Sequence, residues 1–491
     1  MSELKVAASS RPAARAARKP AQLETKLGHL TPAERAARGA QARAEVPREA
    51  HADFKVTASR PDPITLLEGQ AKARVPELVP VRWGRMMVSP FTYYRGAALP
   101  MASDLATTPV SGLTVQACGD AHLSNFGVFG SAERRLVFDV NDFDETLPGP
   151  WEWDVKRLAA SMEVAARSNG FSGKQRRKIV AGTVASYRQA MRDFAGMTQL
   201  DIWYAHADID QLRAQFDAKL DARQRKLVAK SSAKARTRDS MQELAKLTTT
   251  VDGQLRIISD PPLLVPIEDL ISDEAQRSAL ESQVHSIMSK YRRTLETDRR
   301  HLIDQYEFVH IARKVVGVGS VGTRCWIVLM VGRDDSDPLF LQVKEAEESV
   351  LSRFLGASEF TNMGQRVVAG QRLMQASSDI FLGWHRIAAG LDGRQRDFYV
   401  RQLRDWKFSV DIDAMVPSGM GMYGALCGWT LARAHARSGD AIAIAAYLGG
   451  SDVFDRAITE FADAYADQNE RDHDAVVEAV KSGRIVAEQG L

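Results

Sequence analysis

The sequence has few cysteines and no long apolar run. Its 491 residues include three cysteines, Cys118, Cys325 and Cys427, with no CxxC or Cys/His spacing. It therefore offers neither a disulfide framework nor a zinc site. No apolar stretch reaches the roughly 18 to 20 residues that a membrane-spanning helix requires, and the basic N-terminus lacks the hydrophobic segment of a secretory signal. These absences predict a soluble, cytoplasmic protein without a membrane partner.

The chain also lacks an excess of charge of one sign. Its 65 Lys and Arg residues nearly balance 62 Asp and Glu residues, which gives a formal net charge of +3. Nucleic-acid-binding domains usually carry a strongly basic surface, so this balance predicts no nucleic-acid partner. We interpret the basic run at residues 223–238 as one solvated face of a helix.

Composition and periodicity divide the chain into four regions. Residues 1–50 are rich in Ala, Arg and Pro and poor in large apolar groups, which predicts a disordered basic arm. Apolar residues at helical spacing dominate residues 51–305 and predict a mainly helical lobe. Residues 306–412 alternate strand-like and glycine-rich segments and predict an α/β lobe. Residues 413–491 predict helices that pack back on the helical lobe, so we expect a two-lobed α+β protein.

The stretch VQACGDAHLSNFGVF concentrates polar groups in one glycine-containing loop. It places Asp120, His122 and Asn125 within six residues, after a short apolar run. A carboxylate five residues before an amide suits a loop in which the carboxylate orients an attacking hydroxyl and the amide oxygen binds Mg²⁺. The same residue types are common in turns, so an ordinary loop remains the alternative.

Several carboxylates follow the next apolar strand, in LVFDVNDFDET. Asp139, Asp142 and Asp144, with Glu145 beside them, would repel one another unless a cation or a basic partner were present. Mg²⁺ prefers one or two carboxylates together with phosphate oxygens. The pattern therefore predicts a Mg²⁺ site, although an exposed acidic turn would have the same composition.

A GxGxxG motif lies between two strand-like runs. It consists of Gly317, Gly319 and Gly322, with Ser320 between them. A dinucleotide-binding loop leads into a helix, whereas the segment after this motif, TRCWIVLMV, is typical of a strand. Strand, glycine loop and strand is the arrangement that covers nucleotide phosphates in kinases. Lys344 ends the next apolar run, LFLQVKEA, where it could bind those phosphates; the alternative is an ordinary edge lysine.

Together these motifs resemble the aminoglycoside and choline phosphotransferase branch of the protein-kinase-like fold. The resemblance rests on GDAHLSNFG followed by DFDETLPGPWEWDVKRLA, which match the GD-x-H-x-x-N loop, the strand ending in Asp and the later helix start of those enzymes. From about residue 50 onward, the chain is also identified as a member of the bacterial family catalogued as domain of unknown function 2252. The strings RMMVSPFTYYRG, FDVNDFDET and LARAHARSGD carry that second resemblance.

The kinase-like resemblance implies a role for each motif residue. Asp120 would be the catalytic base, with His122 bracing its loop and Asn125 binding the metal. Asp142 would be the principal Mg²⁺ ligand. The remaining aspartates would be alternative or supplementary ligands: Asp139 and Asp144. The glycine loop would cover the phosphates of ATP, the nucleotide substrate, and the lysine after it would bind them.

The order of the motifs departs from the usual kinase chain, in which the glycine loop comes first. Here Asp120 precedes Gly317, so we expect a circularly permuted fold, which is tolerated when the original chain ends lie close together at the surface. The segment LCGWTLARAHARSGD resembles the helix that runs into a kinase-like catalytic loop. Three of its residues would pack beside or behind the catalytic base: Arg433, His435 and Arg437.

The sequence thus predicts an ATP- and Mg²⁺-dependent transferase that acts on a hydroxyl of an unidentified small molecule or protein. Three alternatives remain open: a nucleotide-binding regulator with little turnover, nucleotidyl transfer with the nucleotide bound in the opposite sense, and a haloacid-dehalogenase-like phosphatase. In the phosphatase, Asp142 of DFDET would form an aspartyl-phosphate, which requires a parallel sheet after Thr146, whereas the sequence there predicts helix. Glu348 and Glu359 are candidates for the acidic partner of Lys344.

Overall fold

The structure, a computed structural model, describes residues 30–211, 240–271, 273, 284, 286–388, 393–403, 406 and 410–490. The basic run at residues 223–238 lies outside these ranges. Helices are α1 Pro32–Glu45, α2 Pro63–Ala71, α3 Val79–Met86, α4 Pro90–Gly96, α5 Ala98–Leu105, α6 Trp151–Ser168, α7 Gly173–Ala195, α8 Gln199–Tyr204, α9 Ser240–Leu247, α10 Ile267–Leu270, α11 Thr297–Ile303, α12 Ser352–Leu355, α13 Met363–Met374, α14 Pro417–Ser438, α15 Ala441–Leu448 and α16 Val453–Lys481. Strands are β1 Thr114–Ala117, β2 Phe126–Gly130, β3 Leu136–Val140, β4 Leu147–Pro150, β5 Ala207–Asp208, β6 Thr248–Val251, β7 Gln254–Ile257, β8 Leu264–Pro266, β9 Glu307–Lys314, β10 Cys325–Val331, β11 Pro338–Ala346, β12 Gly383–Ile387 and β13 Arg396–Gln402. The mixture of helices and sheets confirms the α+β class.

The helical body is built around α6, which α7, α14 and α16 enclose. Trp151 at the start of α6 stacks on Tyr187 of α7, with ring centroids 5.7 Å apart. Helix α14 approaches α7 closely because small residues face it: a Cβ built at Gly428 would lie 2.3 Å from the carbonyl oxygen of Thr183. This packing carries a helix from near the C-terminus into the centre of the body.

Helix α1 departs from the prediction of a disordered arm over residues 1–50. It starts with a Thr/Glu capping box and packs on α15, where a Cβ at Gly39 would lie 2.0 Å from the carbonyl oxygen of Ala443. The contact uses glycine and alanine instead of large apolar side chains, which is why composition gave no sign of it. Residues 1–29 lie outside the described residues.

The sheet lobe contains an antiparallel sheet of six described strands in the order β12-β13-β11-β10-β9-β8. Strands β9, β10 and β11 follow one another in the chain and pair side by side, with Cys325 of β10 opposite Lys344 of β11. The glycine motif forms the connection between β9 and β10. Strand β8 belongs to this sheet, and Ile267, Tyr291, Leu295 and Ile303 pack on one of its faces, so the described lobe begins before the boundary at residue 306 that composition indicated.

Two smaller sheets hold the polar loops. Strand β1 pairs with β4, and β2 pairs with β3, which also pairs with β5. Phe126, which directly follows the Asp120 loop, lies opposite Val140, which directly precedes the acidic loop. The register of one strand pair therefore brings two sequence motifs side by side. Within the described residues, no helix is long and apolar enough to cross a membrane.

Candidate active site

The three sequence motifs meet at one polar pocket with a volume of about 110 Å³, between the helical body and the sheet lobe. Most of the residues singled out from the sequence line it: Asp120, His122, Asn125, Asp142, Asp144, Gly317, Gly319 and Ser320. A larger, mostly apolar pocket of about 370 Å³ is lined by residues of the six-stranded sheet such as Ile311, Trp326 and Val343, and it contains none of the residues singled out from the sequence. The chemistry indicated by the sequence therefore belongs to the smaller, polar pocket.

Helix α6 fixes the backbone at the start of the Asp120 loop. The buried carboxylate of Asp154 accepts hydrogen bonds from the amides of Cys118 at 2.6 Å and Gly119 at 2.9 Å. Its Oδ2 also lies 3.1 Å from Nε2 of His435 on α14. Gly119 has a φ of +81°, and a Cβ there would lie 2.2 Å from the carbonyl oxygen of Glu145, so only glycine fits this turn.

Asp120 is held by a buried arginine of α6. Nε and Nη2 of Arg157 both contact its Oδ1, at 2.8 and 2.7 Å, and the guanidinium lies 4.0 Å from the ring centroid of Tyr94. Burial raises the pKa of Asp120, although Arg157 opposes that rise. Nε2 of His122 lies 3.7 Å from Oδ2 of Asp120, and burial lowers the pKa of His122 well below its usual value. Asp120 thus has a fixed cation on one oxygen and a neutral imidazole near the other.

Asn125 joins the two polar loops. Its Nδ2 donates a hydrogen bond to the backbone carbonyl of Asp120 at 2.8 Å. Its own carbonyl accepts from the amide of Asn141, in the acidic loop, at 2.8 Å. Because the amide NH₂ is used within the loop, the Oδ1 atom of Asn125 is the atom that could serve as a metal ligand.

Lys344 contacts the carboxylates of the acidic loop. Its Nζ lies 3.5 Å from Oδ2 of Asp142 and pairs directly with Oδ2 of Asp144. Asp144 also accepts from the hydroxyl of Tyr399 at 2.8 Å and from that of Ser320, in the glycine loop, at 3.3 Å. Burial alone would lower the pKa of Lys344, but the carboxylates outweigh it and raise the pKa well above its usual value. The lysine is therefore a permanent cation at the acidic loop.

Neither glutamate considered as a partner for this lysine pairs with it. Within the described residues, the ion pairs of Lys344 are those with Asp142 and Asp144. Helix α13, which follows β11, contributes Arg366 instead of an acid. That guanidinium donates to the carbonyls of Asp144 and Thr146, both at 2.7 Å, so it holds the backbone of the acidic loop against the sheet lobe.

Three of the predicted site residues are not among those that line the pocket: Asp139, Gly322 and Lys344, the last of which contacts the lining residues Asp142 and Asp144. Asp139 is 2% exposed and accepts from Nη2 of Arg433 at 2.5 Å and from the amide of Ala376 at 3.0 Å. It sits within β3, before the loop that reaches the pocket, and its ion pair joins β3 to α14. Asp139 is not among the residues that line the pocket, and its role as a supplementary metal ligand stays a prediction that this ion pair does not support. Gly322 lies at the end of the glycine loop with a φ of +88°, packed against Arg74.

The sequence reasoning missed three arginines of the pocket wall. Arg74, Arg82 and Arg95 line it and come from the segment that carries α2, α3 and α4. Arg74 and Arg82 form no recognisable motif, and Arg95 lies in RMMVSPFTYYRG, a string that carried the family resemblance without a role for this residue. Their positions among residues such as Trp83 and Tyr94, which are buried, are the signal that could have drawn attention to them.

The donor set suits a metal ion that is bound together with phosphate. Among the described residues, no three His, Cys, Asp or Glu side chains form a ready-made metal cage. Mg²⁺ bound with a nucleotide needs only one or two protein carboxylates, because phosphate oxygens and waters complete its shell. Asp142 and Asn125 line the same pocket, so these residues fit Mg²⁺ in that role.

The fold and the pocket define an α+β protein in which a buried lysine meets two aspartates beside a glycine loop. The chain belongs to the bacterial family DUF2252, described as an uncharacterized protein conserved in bacteria, whose model matches residues 74–479. That range contains every residue discussed for the pocket. Searches of curated proteins and of solved structures found no match to the chain.

Proposed function

We propose that the protein is a kinase-like transferase that uses ATP and Mg²⁺ to phosphorylate a hydroxyl of an acceptor molecule. The contact of Lys344 with Asp142 and Asp144 carries the proposal. It joins segments that are far apart in the chain, and its two aspartates line the same pocket as the Asp120 loop and the glycine loop. Phosphoryl transfer depends mainly on positioning and electrostatics, so a lysine, a metal-binding aspartate and a base suffice in principle.

The sheet supports the proposed nucleotide site. Kinases carry the phosphate-binding lysine on the third strand, counted from the strand before the glycine loop, and Lys344 lies on the third strand of the β9-β10-β11 series. Mg²⁺ held by Asp142 and Asn125 would neutralise phosphate charge. Lys344 already lies beside Asp142, so it would bind phosphate oxygens without leaving this region.

In this proposal Asp120 accepts the proton of the acceptor hydroxyl. Both contacts from Arg157 are made to Oδ1, so Oδ2 is the atom we assign to the acceptor hydroxyl. The neutral His122 near Oδ2 adds no competing positive charge. Asp154 accepts hydrogen bonds from the amides of the two residues before Asp120, and these bonds fix the position of the Asp120 carboxylate in the pocket.

The end of α14 supports the proposed circular permutation. Ser438 accepts a hydrogen bond from the amide of Gln116 in β1 at 3.1 Å, and a Cβ at Gly439 would lie 2.6 Å from Val115. The C-terminal end of α14 therefore lies against the strand that leads into the Asp120 loop. A chain joined there would run from helix to catalytic loop, in the order expected of the kinase-like fold.

One observation favours a second candidate, a nucleotide-binding regulator with little turnover. The ion pair with Arg157 stabilises the charged form of Asp120 and so limits the rise in pKa that burial causes, which limits the strength of Asp120 as a base. The phosphatase alternative has less support, because every strand pairing within the described residues is antiparallel, whereas that class requires a parallel sheet.

Turnover of γ-labelled ATP tests the proposal. We expect Mg²⁺-dependent ADP formation in the wild type, accelerated by an acceptor when candidates are screened. Asp120→Asn should lower it about 100-fold or more while ATP still binds, since a positioned base contributes about 10²–10⁴-fold. The matched control is Asp298→Asn, whose side chain is 67% exposed and remote from the pocket. Mg²⁺-ATP binding without any turnover would favour the regulator, and equal turnover in wild type and Asp120→Asn would contradict the assignment of the base.

A further inference from the structure

Three arginines of the pocket wall form no ion pair with a carboxylate of the described residues. Arg74 and Arg82 are 6% and 1% exposed, and Arg95 is partly buried. Within the described part of the chain, no carboxylate oxygen lies within 4.0 Å of a guanidinium nitrogen of any of the three. Burying an unpaired charge costs several kcal/mol, so a cluster of three requires an explanation.

Much of their hydrogen-bonding capacity is also unused. Arg82 donates through Nη2 to Oε1 of Gln70 at 2.8 Å, while its buried Nε and Nη1 atoms have no partner. The buried Nε atoms of Arg74 and Arg95 have none either. Burial and the nearby charge of Arg74 both lower the pKa of Arg82. Each buried N–H without an acceptor costs about 1–3 kcal/mol, a cost that a bound anion would remove.

The acids on the same wall do not supply that anion. Burial raises the pKa of Glu145 to about 7, and one of its oxygens already accepts from the amide of Val350 at 2.7 Å. Burial also raises the pKa of Glu347, although the charge of Arg74 opposes the rise, and this carboxylate does not come within 4.0 Å of the three guanidinium groups. Glu345 pairs with arginines outside the cluster, Arg324 and Arg396. The positive charge of the cluster is therefore not balanced by ion pairs among the described residues.

We propose that Arg74, Arg82 and Arg95 form a subsite for a phosphate-type anion, separate from the position served by Lys344. Guanidinium groups bind phosphate and carboxylate oxygens through paired hydrogen bonds, and arginine is the residue best suited to such recognition. The glycine loop borders this subsite closely, since a Cβ at Gly319 would lie 3.0 Å from the carbonyl oxygen of Arg95. A bound oxyanion would therefore contact the cluster at the edge of the glycine loop.

The inference deepens the proposed function, because the cluster lines the same pocket. Two sources could supply the anion: the terminal phosphate of the nucleotide, or a phosphate group on the acceptor. In the first case the arginines would hold the group being transferred. In the second they would select acceptors that carry a phosphate beside the reacting hydroxyl.

The first arm of the test uses inorganic phosphate and pyrophosphate with neither nucleotide nor metal. We expect both anions to raise the unfolding temperature of the wild type and of the control Arg456→Gln, whose side chain is 63% exposed on α16. The apparent affinity for pyrophosphate should fall at least tenfold in Arg82→Gln and Arg95→Gln. Arg95→Gln keeps the test valid if Arg82→Gln does not fold, since Arg95 is only partly buried. Equal stabilisation of Arg95→Gln and the control would overturn the subsite.

The second arm compares Mg²⁺-ATP with Mg²⁺-ADP. If the terminal phosphate occupies the subsite, Arg95→Gln should weaken ATP at least tenfold and leave ADP unchanged. If an acceptor group occupies it, neither nucleotide should respond to Arg95→Gln, while the loss of pyrophosphate binding persists. A wild type that binds pyrophosphate through the arginines but binds no nucleotide would retain the subsite and refute the proposed function.

Discussion

Asp154 should be one of the most sensitive positions of the chain, because it supports the backbone of the Asp120 loop from within the core. Asp154→Ala removes the acceptor of the Cys118 and Gly119 amides, which are bonded at 2.6 and 2.9 Å, and also removes the neighbour of Nε2 of His435. Each amide left without an acceptor costs about 1–3 kcal/mol. The two together predict a loss of about 2–6 kcal/mol in the free energy of unfolding.

Urea denaturation followed by tryptophan fluorescence measures this loss, since Trp151 and Trp153 lie in the same helix as Asp154. The exposed control Asp298→Ala should change the free energy of unfolding by less than about 0.5 kcal/mol. A loss below about 1 kcal/mol for Asp154→Ala would refute the reasoning, because the loop would then be held by other contacts.

Three further predictions concern the helical body and the catalytic loop. Arg433→Met leaves Asp139 buried without its cation and should lower the free energy of unfolding, measured by urea denaturation, by about 3–5 kcal/mol. The affinity for Mg²⁺-ATP should stay unchanged. A loss of that affinity would indicate that Asp139 contributes to the metal site. Burial lowers the pKa of His51 from 6.5 to about 3, so the unfolded chain binds the proton more tightly and the free energy of unfolding falls as pH drops from 6.5 towards 3. In urea titrations across this range, the dependence of the unfolding free energy on pH should have a slope smaller by up to about 1.4 kcal/mol per pH unit in His51→Gln than in the wild type. An equal slope in the two proteins would contradict the shift. Gly119→Ala forces a Cβ against the carbonyl of Glu145 and should lower both the unfolding temperature and ATP turnover, whereas wild-type values for both would show that the turn can relax.

The local pattern of the sequence was enough to find most of the site. Strand, glycine loop and strand were readable around Gly317, because β-branched and aromatic residues flank the glycines. Asp120, Asn125 and Asp142 follow short apolar runs, and polar groups at the ends of strands are brought together by strand pairing. These are properties of neighbouring residues, which a single sequence displays.

Contacts between distant segments could not be predicted from the local sequence pattern. Asp139 and Asp142 are the same residue type in the same acidic segment, so the sequence does not distinguish them. The ion pair of Asp139 with Arg433, on α14, is what separates it from Asp142, which lines the pocket. The arginines of the pocket wall come from residues 74–95, whose periodicity gives no sign of a shared pocket. Helix α1 escaped prediction because its contact with Ala443 depends on the absence of a side chain at Gly39.

Thermal unfolding with and without Mg²⁺-ATP tests the central claim most directly. A ligand that binds only the folded state, at 100 times its dissociation constant, adds about 2.7 kcal/mol of stability. We predict a Mg²⁺-dependent rise of the unfolding temperature in the wild type and in Asp298→Asn. The rise should be lost in Asp142→Asn and in Lys344→Met, each measured against its own ligand-free baseline. No rise in the wild type at millimolar nucleotide, or an undiminished rise in both variants, would contradict a nucleotide site built from Asp142 and Lys344.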